Sequence, residues 1–257
     1  MRIVSLNTWK CEGAYRQRLD LMAEGLAALA PDLLLLQEVF ATDDGQADTA
    51  AFLAQALSMS LARAPARRKP RRFEGESRVS TSGLALLSRH PLLSCQSILL
   101  PSDPADGERI VQLASVSHAG HLLWLANLHL SHLPDAGILR TRQLQTCLEA
   151  LEPLAGNQPY LIGGDFNAAP GSAEMTRWLQ PPWGLIDPFA GQPKVTHRSD
   201  AGRALDLDHV LLSRDWPAAS VRQALVAMAP WQSDASMAAS DHAAVVLDLS
   251  LDRLPSP

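Results

Sequence analysis

The sequence predicts an α/β sandwich, in which two β-sheets pack together and helices cover their outer faces. The chain opens on a β-α-β pattern, and both of its halves contain β-α-β-like stretches separated by further strand-like runs. At 257 residues, of which 47% are hydrophobic and 19% charged, the chain can bury a sizeable core. Because no linker interrupts the sequence, we expect one domain over residues 1–257.

The opening segment predicts a strand, a helix and a second strand. Arg2–Asn7 is a short β-like run, and Leu or Met then recurs at spacings of three and four between residues 19 and 29, as in an amphipathic helix. Pro31-Asp32 ends this helix. The apolar run Leu33–Gln37 is consistent with a strand buried on both faces, and residues 46–57 are predicted to form a second helix.

Most of the remaining chain is predicted to be strand. Residues 58–78 are polar, basic and proline-containing, so we expect a loop there, and residues 180–204, rich in Pro and Gly, predict another. Ala119-Gly120 predicts a hairpin turn. The further predicted helices are Ile138–Leu151 and residues 172–179. The predicted strands are Leu84–Ser88, Leu92–Leu99, Arg109–Ser117, His121–His129, Tyr160–Gly164, Leu205–Ser213, Val221–Met228 and Ala243–Leu249.

The charge is spread unevenly along the chain. The formal net charge of −5 gives no sign of the basic face that a long run of phosphates requires. One segment, residues 63–72, is nevertheless strongly basic. It could hold nucleic acid or an anionic head group, or it could be a solvated loop. Its basic residues are Arg63, Arg67, Arg68, Lys69, Arg71 and Arg72.

The cysteines and the N-terminal sequence favour a cytoplasmic protein. Cys11, Cys95 and Cys147 are odd in number and lack CxxC spacing, which argues against a zinc motif, a redox motif and a disulfide framework. The opening MRIVSLNTWK lacks the features of a signal peptide. No apolar run approaches the ~20 residues that cross a bilayer, so we expect no transmembrane segment.

Side chains able to bind a metal or transfer a proton lie at the ends of six predicted strands, as they do where an open sheet forms a ligand crevice. The GGDFN segment is the most informative, because its glycines permit a close backbone approach and Asp165 and Asn167 would point to the same side. Glu38 follows a buried strand, where a carboxylate needs a partner or a metal. The candidates are Asn7, Glu38, His129, Asp165, Asn167, Asp208, Asp241 and His242.

Each candidate also has a purely structural explanation. Asn7 could cap or turn the chain, His129 could be a hydrogen-bonded core histidine, and the segment at Asp165 could be an Asx turn. Asp208 could lie on a solvated strand edge, and Asp241-His242 could form a plain polar turn. The recurrence of such residues at six strand ends favours a shared site.

Seven segments, in a fixed order and spanning nearly the whole chain, resemble one family. GDFN with a late SDH and an upstream LQE is a highly specific combination. The segments are SLNTW at 5–9, PDLLLLQEV at 31–39, GLALLSRHPL at 83–92, ANLHL at 126–130, IGGDFNAAP at 162–170, LDHVLLS at 207–213 and SDHAAV at 240–245. The chain thus resembles the endonuclease/exonuclease/phosphatase superfamily, the DNase I-like metal-dependent phosphoesterases.

The resemblance implies a four-layer α/β sandwich with two packed, mainly antiparallel or mixed β-sheets flanked by helices. It also implies a hydrolase of phosphoesters, most readily phosphodiesters, that uses Mg²⁺ or Mn²⁺. Asn7, Glu38 and Asp241 match metal-site residues, with Glu38 a direct ligand. Asp165 and Asn167 match the pair that orients the attacking water and holds the phosphate or a second metal.

The remaining roles concern the substrate. His242 matches the histidine that contacts the scissile phosphate, and Asp208 matches the carboxylate that orients this histidine. His129 matches a position near the phosphate or the leaving group. The resemblance therefore implies substrate contacts from Asn7, Asn167 and His129.

The substrate stays open at this level, since the superfamily includes nucleases, inositol-phosphate phosphatases, sphingomyelinases and other lipid phosphodiesterases. Trp9 stands where some of the nucleases have an acidic residue, which makes a DNA-repair role less favoured and places more of the metal site on Glu38 and Asp241. Trp183 and Trp231, on predicted loops near the site segments, could stack on a base, touch a membrane or pack the loops.

Two alternatives to an enzyme follow from the same sequence. The first is a non-catalytic nucleic-acid- or phosphate-binding protein on this fold, which the loss of Glu38, Asp165 or His242 would favour. The second is a nucleic-acid-binding module built on residues 63–72, which predicts tight, salt-sensitive binding without metal. No obligate protein partner is evident.

Overall fold

The computed structural model describes residues 1–199, 201–217, 220–231 and 238–251. The domain predicted over residues 1–257 includes the other positions, which lie outside the described residues. The helices are α1 (Tyr15–Leu29), α2 (Thr49–Leu57), α3 (Gly137–Ala155) and α4 (Ala173–Trp178). The strands are β1 (Arg2–Asn7), β2 (Leu33–Thr42), β3 (Ser60–Ala64), β4 (Lys69–Phe73), β5 (Glu76–Ser88), β6 (Leu92–Leu100), β7 (Arg109–His118), β8 (His121–His129), β9 (Tyr160–Asp165), β10 (His197–Arg198), β11 (Ala204–Leu205), β12 (Asp208–Leu212), β13 (Val221–Ala227) and β14 (Ala244–Leu249).

Two mixed sheets form the centre of the fold. The first has seven strands in the order β13-β14-β1-β2-β5-β3, with β4 also paired to β5. The second has five strands in the order β12-β9-β8-β7-β6. One pair in each sheet is parallel, β1 with β2 and β8 with β9, and the other pairs of these two sheets are antiparallel. The arrangement confirms the predicted DNase I-like class.

The four leucines that begin β2 show how the layers are joined. Leu33 and Leu35 belong to the core between the two sheets, whereas Leu34 and Leu36 pack with residues of α1 and α2. Successive side chains of a strand point to opposite faces, so one apolar run serves both cores. All four side chains are fully buried, and each such burial is worth about 1.5–3 kcal/mol before conformational entropy is counted. The prediction of a strand buried on both faces is confirmed.

The second sheet is covered in the same way by α3 and α4. Leu144, Leu148 and Leu151 of α3 recur on one helix face and pack against inward side chains of β8 and β9. Trp178, the last residue of α4, is fully buried in the same core. The order of the layers is therefore helices, first sheet, second sheet and helices.

The predicted loop at residues 58–78 is wrong, because it contains β3, β4 and the start of β5. The strands β4 and β5 form a hairpin whose turn, Glu74-Gly75, has positive φ at both residues, as two-residue hairpin turns require. Most of β4 is polar and solvent-facing, which hid it from the hydrophobic pattern. Phe73 anchors β4 to the core, since the centroid of its ring lies 5.2 Å from that of Tyr15 and 5.1 Å from that of Phe40.

The second predicted loop, residues 180–204, is confirmed except for one short β-ladder of two residues on each strand. β10 falls inside the range and pairs antiparallel with β11, which starts at its end. Each of these strands has only two residues, so no periodic pattern could indicate them. The ladder matters because β10 carries His197 to the site described below.

A buried polar cluster joins the sheets beside the bulge in the middle of β2 and the end of β8. The Asn127 amide nitrogen donates to the carbonyl oxygens of Leu36 (3.1 Å) and Ala85 (3.0 Å) and to the Gln112 side chain (3.2 Å). The Gln37 amide in turn donates to the Asn127 side-chain oxygen at 2.8 Å. Because Gln37 precedes Glu38 and Asn127 lies two residues before His129, these bonds fix the backbone from which two site residues project.

Two further features bear on the sequence predictions. The cysteines Cys11, Cys95 and Cys147 are all free thiols. Among the helices in the described ranges, none has both the length and the apolar character needed to cross a membrane.

Candidate active site

The predicted site residues converge on one cleft of about 420 Å³. Seven of the eight line it, and the eighth, Asp208, lies behind the cleft wall as the hydrogen-bond partner of His242. The lining candidates are Asn7, Glu38, His129, Asp165, Asn167, Asp241 and His242. The structure therefore brings together residues spread over most of the chain length.

Strand pairing in the first sheet explains half of this convergence. Asn7 ends β1 and pairs in parallel register with Gln37, the residue before Glu38. Asp241 precedes β14, which is the other neighbour of β1. The Ser240 hydroxyl donates to the backbone oxygen of Asn7 at 2.6 Å, which ties the SDH segment to the end of β1.

Register in the second sheet explains the other half. Asp165 ends β9 and lies opposite His129 on one side and opposite Asp208 on the other. The two sheets then meet through the Asn7 amide, which donates to Asp165 Oδ2 at 3.1 Å. The cleft is thus built at the edge where both sheets end.

The backbone is strained around this cleft. Five of its residues have positive φ although they are not glycine: Trp9 (56°), Lys10 (42°), Glu38 (55°), Arg67 (52°) and Asn167 (49°). A β-bulge between Leu36 and Val39 takes Glu38 out of the β2 ladder. Such conformations cost about 1–3 kcal/mol each and concentrate at functional sites. Their occurrence here supports a role in chemistry over a purely structural one.

His242 and Asp208 form a buried pair. His242 Nδ1 donates to Asp208 Oδ2 at 2.8 Å, and the His197 ring stacks on the imidazole at 4.5 Å between centroids. Burial alone would lower the pKa of His242, but the charge and hydrogen bond of Asp208, helped by Asp165 and Asp241, raise that pKa to about 10. His242 is therefore a cation at neutral pH, facing the cleft.

Asp165 lies between two histidines. Its carboxylate accepts hydrogen bonds from the Asn7 amide and, at 2.9 Å, from the backbone nitrogen of Asn167. Its Oδ2 also lies 3.5 Å from His129 Nε2 and 3.9 Å from His242 Nε2. Burial, followed by the charge of Asp208, raises the pKa of Asp165 to about 7. A carboxylate with this pKa can accept a proton near neutral pH.

His129 differs from His242 in its charge state. Burial, with the nearby charges of Arg109 and Lys10, lowers the pKa of His129 well below its ordinary value. The neutral imidazole therefore presents one donor and one acceptor nitrogen to the cleft.

The oxygen donors of the cleft fit a hard divalent cation. Glu38 and Asp241 are carboxylates facing the same cleft, and burial, with the charge of Glu38 among further causes, raises the pKa of Asp241. The carboxylate of Glu38 is paired with an ammonium group, since Lys10 Nζ lies 2.7 Å from Glu38 Oε1. Carboxylate and amide oxygens suit Mg²⁺ or Mn²⁺, and the Asn7 side-chain oxygen also lies in the cleft, where it accepts the Trp9 backbone N–H at 3.0 Å.

Two tighter groups of donor atoms exist among the described residues, and both contain His242. In one, His242 joins His197 and Asp241, and in the other it joins Asp165 and Asp208, with all donor atoms of a group within 4.8 Å. His242 Nδ1 is already hydrogen-bonded to Asp208 Oδ2 at 2.8 Å, so the ring offers a metal only its Nε2 atom. Because Mg²⁺ prefers oxygen ligands, the oxygen donors of Glu38, Asp241 and Asn7 suit it better than these imidazole-containing groups.

Several cleft residues were not predicted from the sequence. Lys10 is adjacent to the SLNTW segment, and Arg67 belongs to the basic segment. The sequence therefore drew attention to both positions, but neither was predicted to be a site residue. Arg109 is held by the buried carboxylate of Asp106 at 2.6 Å, and their i,i+3 spacing was the available signal in the sequence. The unpredicted residues lining the cleft include Lys10, Arg67, Arg109, His132 and His197.

The two loop tryptophans have different surroundings. Trp183 packs against the core of the second sheet, with the Arg177 guanidinium 5.5 Å from its ring. Trp231 and Trp9 instead line a separate cavity of about 500 Å³ that also reaches Asp241. Packing explains Trp183, whereas Trp231 borders the site.

Comparison with known proteins gives a consistent result. The model of the family described as "Endonuclease/Exonuclease/phosphatase family" matches residues 4–242. Among solved structures, an endonuclease/exonuclease/phosphatase family protein from Leptotrichia buccalis superposes with a TM-score of 0.76 at 17% identity, covering 97% of this chain and 99% of that chain. A search of the curated proteins gives no match.

Two further structures have the same fold. The human Nocturnin catalytic domain, solved with a bound sulfate anion, has a TM-score of 0.74 and 22% identity over 97% of this chain and 94% of that chain. A truncated TDP2 from Caenorhabditis elegans has a TM-score of 0.68 and 17% identity, with 96% of each chain covered. At these identities the similarity establishes the fold.

Proposed function

This chain belongs to the endonuclease/exonuclease/phosphatase family, whose members are phosphoesterase hydrolases, and from that premise we propose that it cleaves phosphodiester bonds with a bound divalent cation. One observation carries the proposal. A buried, protonated His242, held by Asp208, faces the same cleft as Asp165 and the carboxylates Glu38 and Asp241.

In this proposal Asp165 is the general base. Its raised pKa suits proton abstraction from water near neutral pH, and its hydrogen bonds from Asn7 and Asn167 fix the carboxylate in position. The Asn167 amide donates to the Leu130 backbone oxygen at 3.2 Å, which fixes that side chain beside the base. Water activated here attacks phosphorus, and the bond to the leaving oxygen breaks.

His242 stabilises the phosphate in the same step. As a cation it donates its Nε2 hydrogen toward a non-bridging phosphate oxygen, where negative charge is held in the transition state. Asp208 keeps the ring protonated and oriented. Asn7 and Asn167 supply polar contacts to the phosphate, and His129, which is neutral, serves the leaving-group side.

Glu38 and Asp241, with the side-chain oxygen of Asn7, would hold Mg²⁺ or Mn²⁺. When bound, such a cation supplies electrophilic stabilisation of the anionic phosphate. The same carboxylates disfavour an anionic substrate when no dication neutralises them, which makes activity dependent on added metal.

We also propose that residues 1–257 form one catalytic domain in the cytoplasm. Both sheets supply site residues, which supports a single cooperative unit. The free thiols are compatible with a reducing compartment. A single cooperative unfolding transition and recovery of the protein in the cytosolic fraction are the expected results.

The decisive experiment is a metal-dependent activity panel. Bis-p-nitrophenyl phosphate, plasmid DNA, RNA, sphingomyelin and inositol phosphates are tested with Mg²⁺, Mn²⁺ or EDTA. We expect hydrolysis of at least one phosphodiester with metal and none in EDTA. The Glu38→Gln variant should lose about 10²–10³-fold in kcat/KM. Glu12→Gln, which removes the same charge at the exposed rim of the cleft, is the matched control.

The panel also separates the enzyme from a non-catalytic binding protein. Binding of a phosphodiester without turnover under every metal condition would favour the latter and refute the proposal. Salt-sensitive retention of DNA or RNA in EDTA, also without turnover, would instead indicate a nucleic-acid-binding module.

A further inference from the structure

The cationic side chains lining the catalytic cleft differ in whether they have an acceptor. Lys10 is paired with Glu38 at 2.7 Å. Arg109 donates through Nη2 and Nε to the buried carboxylate of Asp106, at 2.6 and 3.0 Å. Arg67 lines the same cleft, and within the part of the chain that the structure describes its guanidinium has no acceptor at hydrogen-bond or ion-pair distance.

The backbone directs Arg67 toward this cleft. The residue follows β3 and has φ of 52°, a conformation that non-glycine residues rarely adopt. Its side chain lies along Gly107, where an added Cβ would be 3.4 Å from Arg67 Nε. Arg67 also lines a small adjoining cavity together with Glu38 and His129, which places it beside these two site residues.

Three other arginines of the basic segment are ion-paired or hydrogen-bonded, and none of them lines the cleft. Arg63 pairs with Asp48 at 2.6 Å, and Arg68 pairs with Asp43 at 2.5 Å. Arg71 donates to the backbone oxygens of Ser80 and Arg67. The segment is therefore not a continuous basic surface, and of these four arginines Arg67 is the one that lines the cleft.

An unpaired guanidinium in this position favours an anion. Arg67 is half-buried, and burial, followed by the nearby charge of Arg109, lowers its pKa, because the more distant charges of Asp106 and Glu38 offset these effects only in part. A phosphate would relieve both effects, and it matches the planar donor geometry of arginine. The scissile phosphate already has His242 and Asn167 in the proposed mechanism, which leaves Arg67 for a different group.

We propose that Arg67 binds a second phosphate of the substrate, adjacent to the scissile phosphodiester. This inference rests on the proposed function, because it takes the scissile phosphate to lie at His242. It specifies a substrate class, namely phosphodiesters that carry a further phosphate. Such a phosphate is supplied either by the next link of a nucleic-acid strand or by a terminal phosphomonoester of a small molecule.

Two chromogenic substrates that differ by one phosphate test the proposal. They are the p-nitrophenyl ester of thymidine 5′-phosphate and the same ester with a 3′-phosphate. We expect the wild-type protein, with Mn²⁺, to have about tenfold higher kcat/KM for the 3′-phosphorylated ester, as one charge-assisted contact provides. Arg67→Ala should remove this preference, and Arg67→Lys should keep part of it. Arg63→Ala is the matched control and should preserve the preference.

A binding measurement in EDTA gives a second readout that does not require turnover. Calorimetry compares thymidine 5′-phosphate with thymidine 3′,5′-bisphosphate, and we expect Arg67→Ala to abolish the tighter binding of the bisphosphate. A third ligand, with the 3′-phosphate capped as a methyl diester, separates the two sources. Retained preference indicates an internal strand phosphate, and lost preference indicates a terminal phosphomonoester.

Each result has a defined meaning. An equal loss on both esters would place Arg67 at the scissile phosphate and overturn the proposal. So would an unchanged preference in Arg67→Ala, or the absence of any preference in the wild-type protein in both measurements. Absence of hydrolysis of either ester, with the binding preference intact and dependent on Arg67, would refute the proposed catalytic function and leave the second phosphate site supported.

Discussion

His242 Nδ1 lies 2.8 Å from Asp208 Oδ2, and both side chains are buried. The contact decides the charge of the imidazole, because burial without Asp208 would favour the neutral ring. With Asp208 present, His242 stays protonated to a pH of about 10. His242 therefore presents a positive charge to the cleft at neutral pH, with the carboxylate of Asp208 bonded to the opposite side of the ring.

The first prediction concerns Asp208→Asn. Removing the carboxylate charge lowers the pKa of His242, since the effect of burial is then opposed only by the more distant Asp165 and Asp241. Activity requires the protonated ring, so it declines as pH rises through this pKa. We expect the alkaline limb of kcat/KM near pH 10 in the wild-type protein and at clearly lower pH in the variant, with a rate loss of about 10²–10⁴-fold at neutral pH.

The same profile tests the assigned base. Asp165 must be ionised to accept a proton, so activity should increase as pH rises through its pKa, which is about 7 without metal. Because a bound dication favours the ionised carboxylate, raising Mn²⁺ should move the acidic limb to lower pH.

An alkaline limb that stays in place in Asp208→Asn would contradict the role given to the His242 pair.

Lys10 provides the second prediction. Its ammonium lies 2.7 Å from Glu38 Oε1, so it competes with a dication for the same carboxylate. We expect Lys10→Met to tighten Mn²⁺ binding by about 3–10-fold, the strength of a partly exposed ion pair. Isothermal titration calorimetry measures this directly, with Glu38→Gln as the variant that should lose binding. Weaker binding by Lys10→Met would show that the metal does not use Glu38.

The sequence was sufficient for the parts of the fold that have a clear period. The leucines of β2 and the apolar face of α3 are buried, so the hydrophobic pattern located both elements, although β2 continues to Thr42, five residues beyond its predicted end at Gln37. The charged strand β4 was not predicted, because its formation depends on the packing of Phe73 and on a hairpin turn. Neither feature produces an alternating apolar pattern.

The sequence predicted those site residues that belong to short motifs or adjoin a recognisable apolar run. Asp165 and Asn167 belong to one short motif, and Glu38 directly follows the apolar run Leu33–Gln37, although β2 itself continues past it to Thr42. Arg109 could not be assigned, because its place in the cleft depends on β-sheet register, although its partner Asp106 is only three residues away. Register is a property of the tertiary structure and leaves no pattern in the sequence.

Asn127 gives the third prediction, which concerns stability. Its amide nitrogen donates to Leu36, Ala85 and Gln112, and its oxygen accepts from Gln37, all in the interior. Asn127→Leu removes these partners and leaves buried carbonyl oxygens unpaired. We expect the free energy of unfolding to fall by about 2–4 kcal/mol, measured by urea denaturation. Leu93→Ala, on the exposed edge strand β6, is the control and should have little effect.

The fourth prediction concerns the two glycines before Asp165. A Cβ at Gly164 would lie 1.9 Å from the backbone oxygen of Leu128, and the residue has φ of 147°. A Cβ at Gly163 would instead meet the end of the Leu35 side chain, at 2.5 Å. The first contact is with a β-strand backbone that cannot move without breaking the β8–β9 pairing, whereas the second can be relieved by a rotation of Leu35.

We therefore expect Gly164→Ala to lower the free energy of unfolding by about 3 kcal/mol or more, and Gly163→Ala by less. Gly171→Ala separates conformational strain from the clash, because Gly171 has φ of 83° and no atom within 4 Å of an added Cβ. Its cost should be about 1 kcal/mol. Since Gly164 pairs with Leu128 and precedes Asp165, any folded Gly164→Ala protein should also lose kcat through displacement of the base. Equal destabilisation by Gly164→Ala and Gly171→Ala would show that the close approach of β8 and β9 is not what requires glycine in the GGDFN segment.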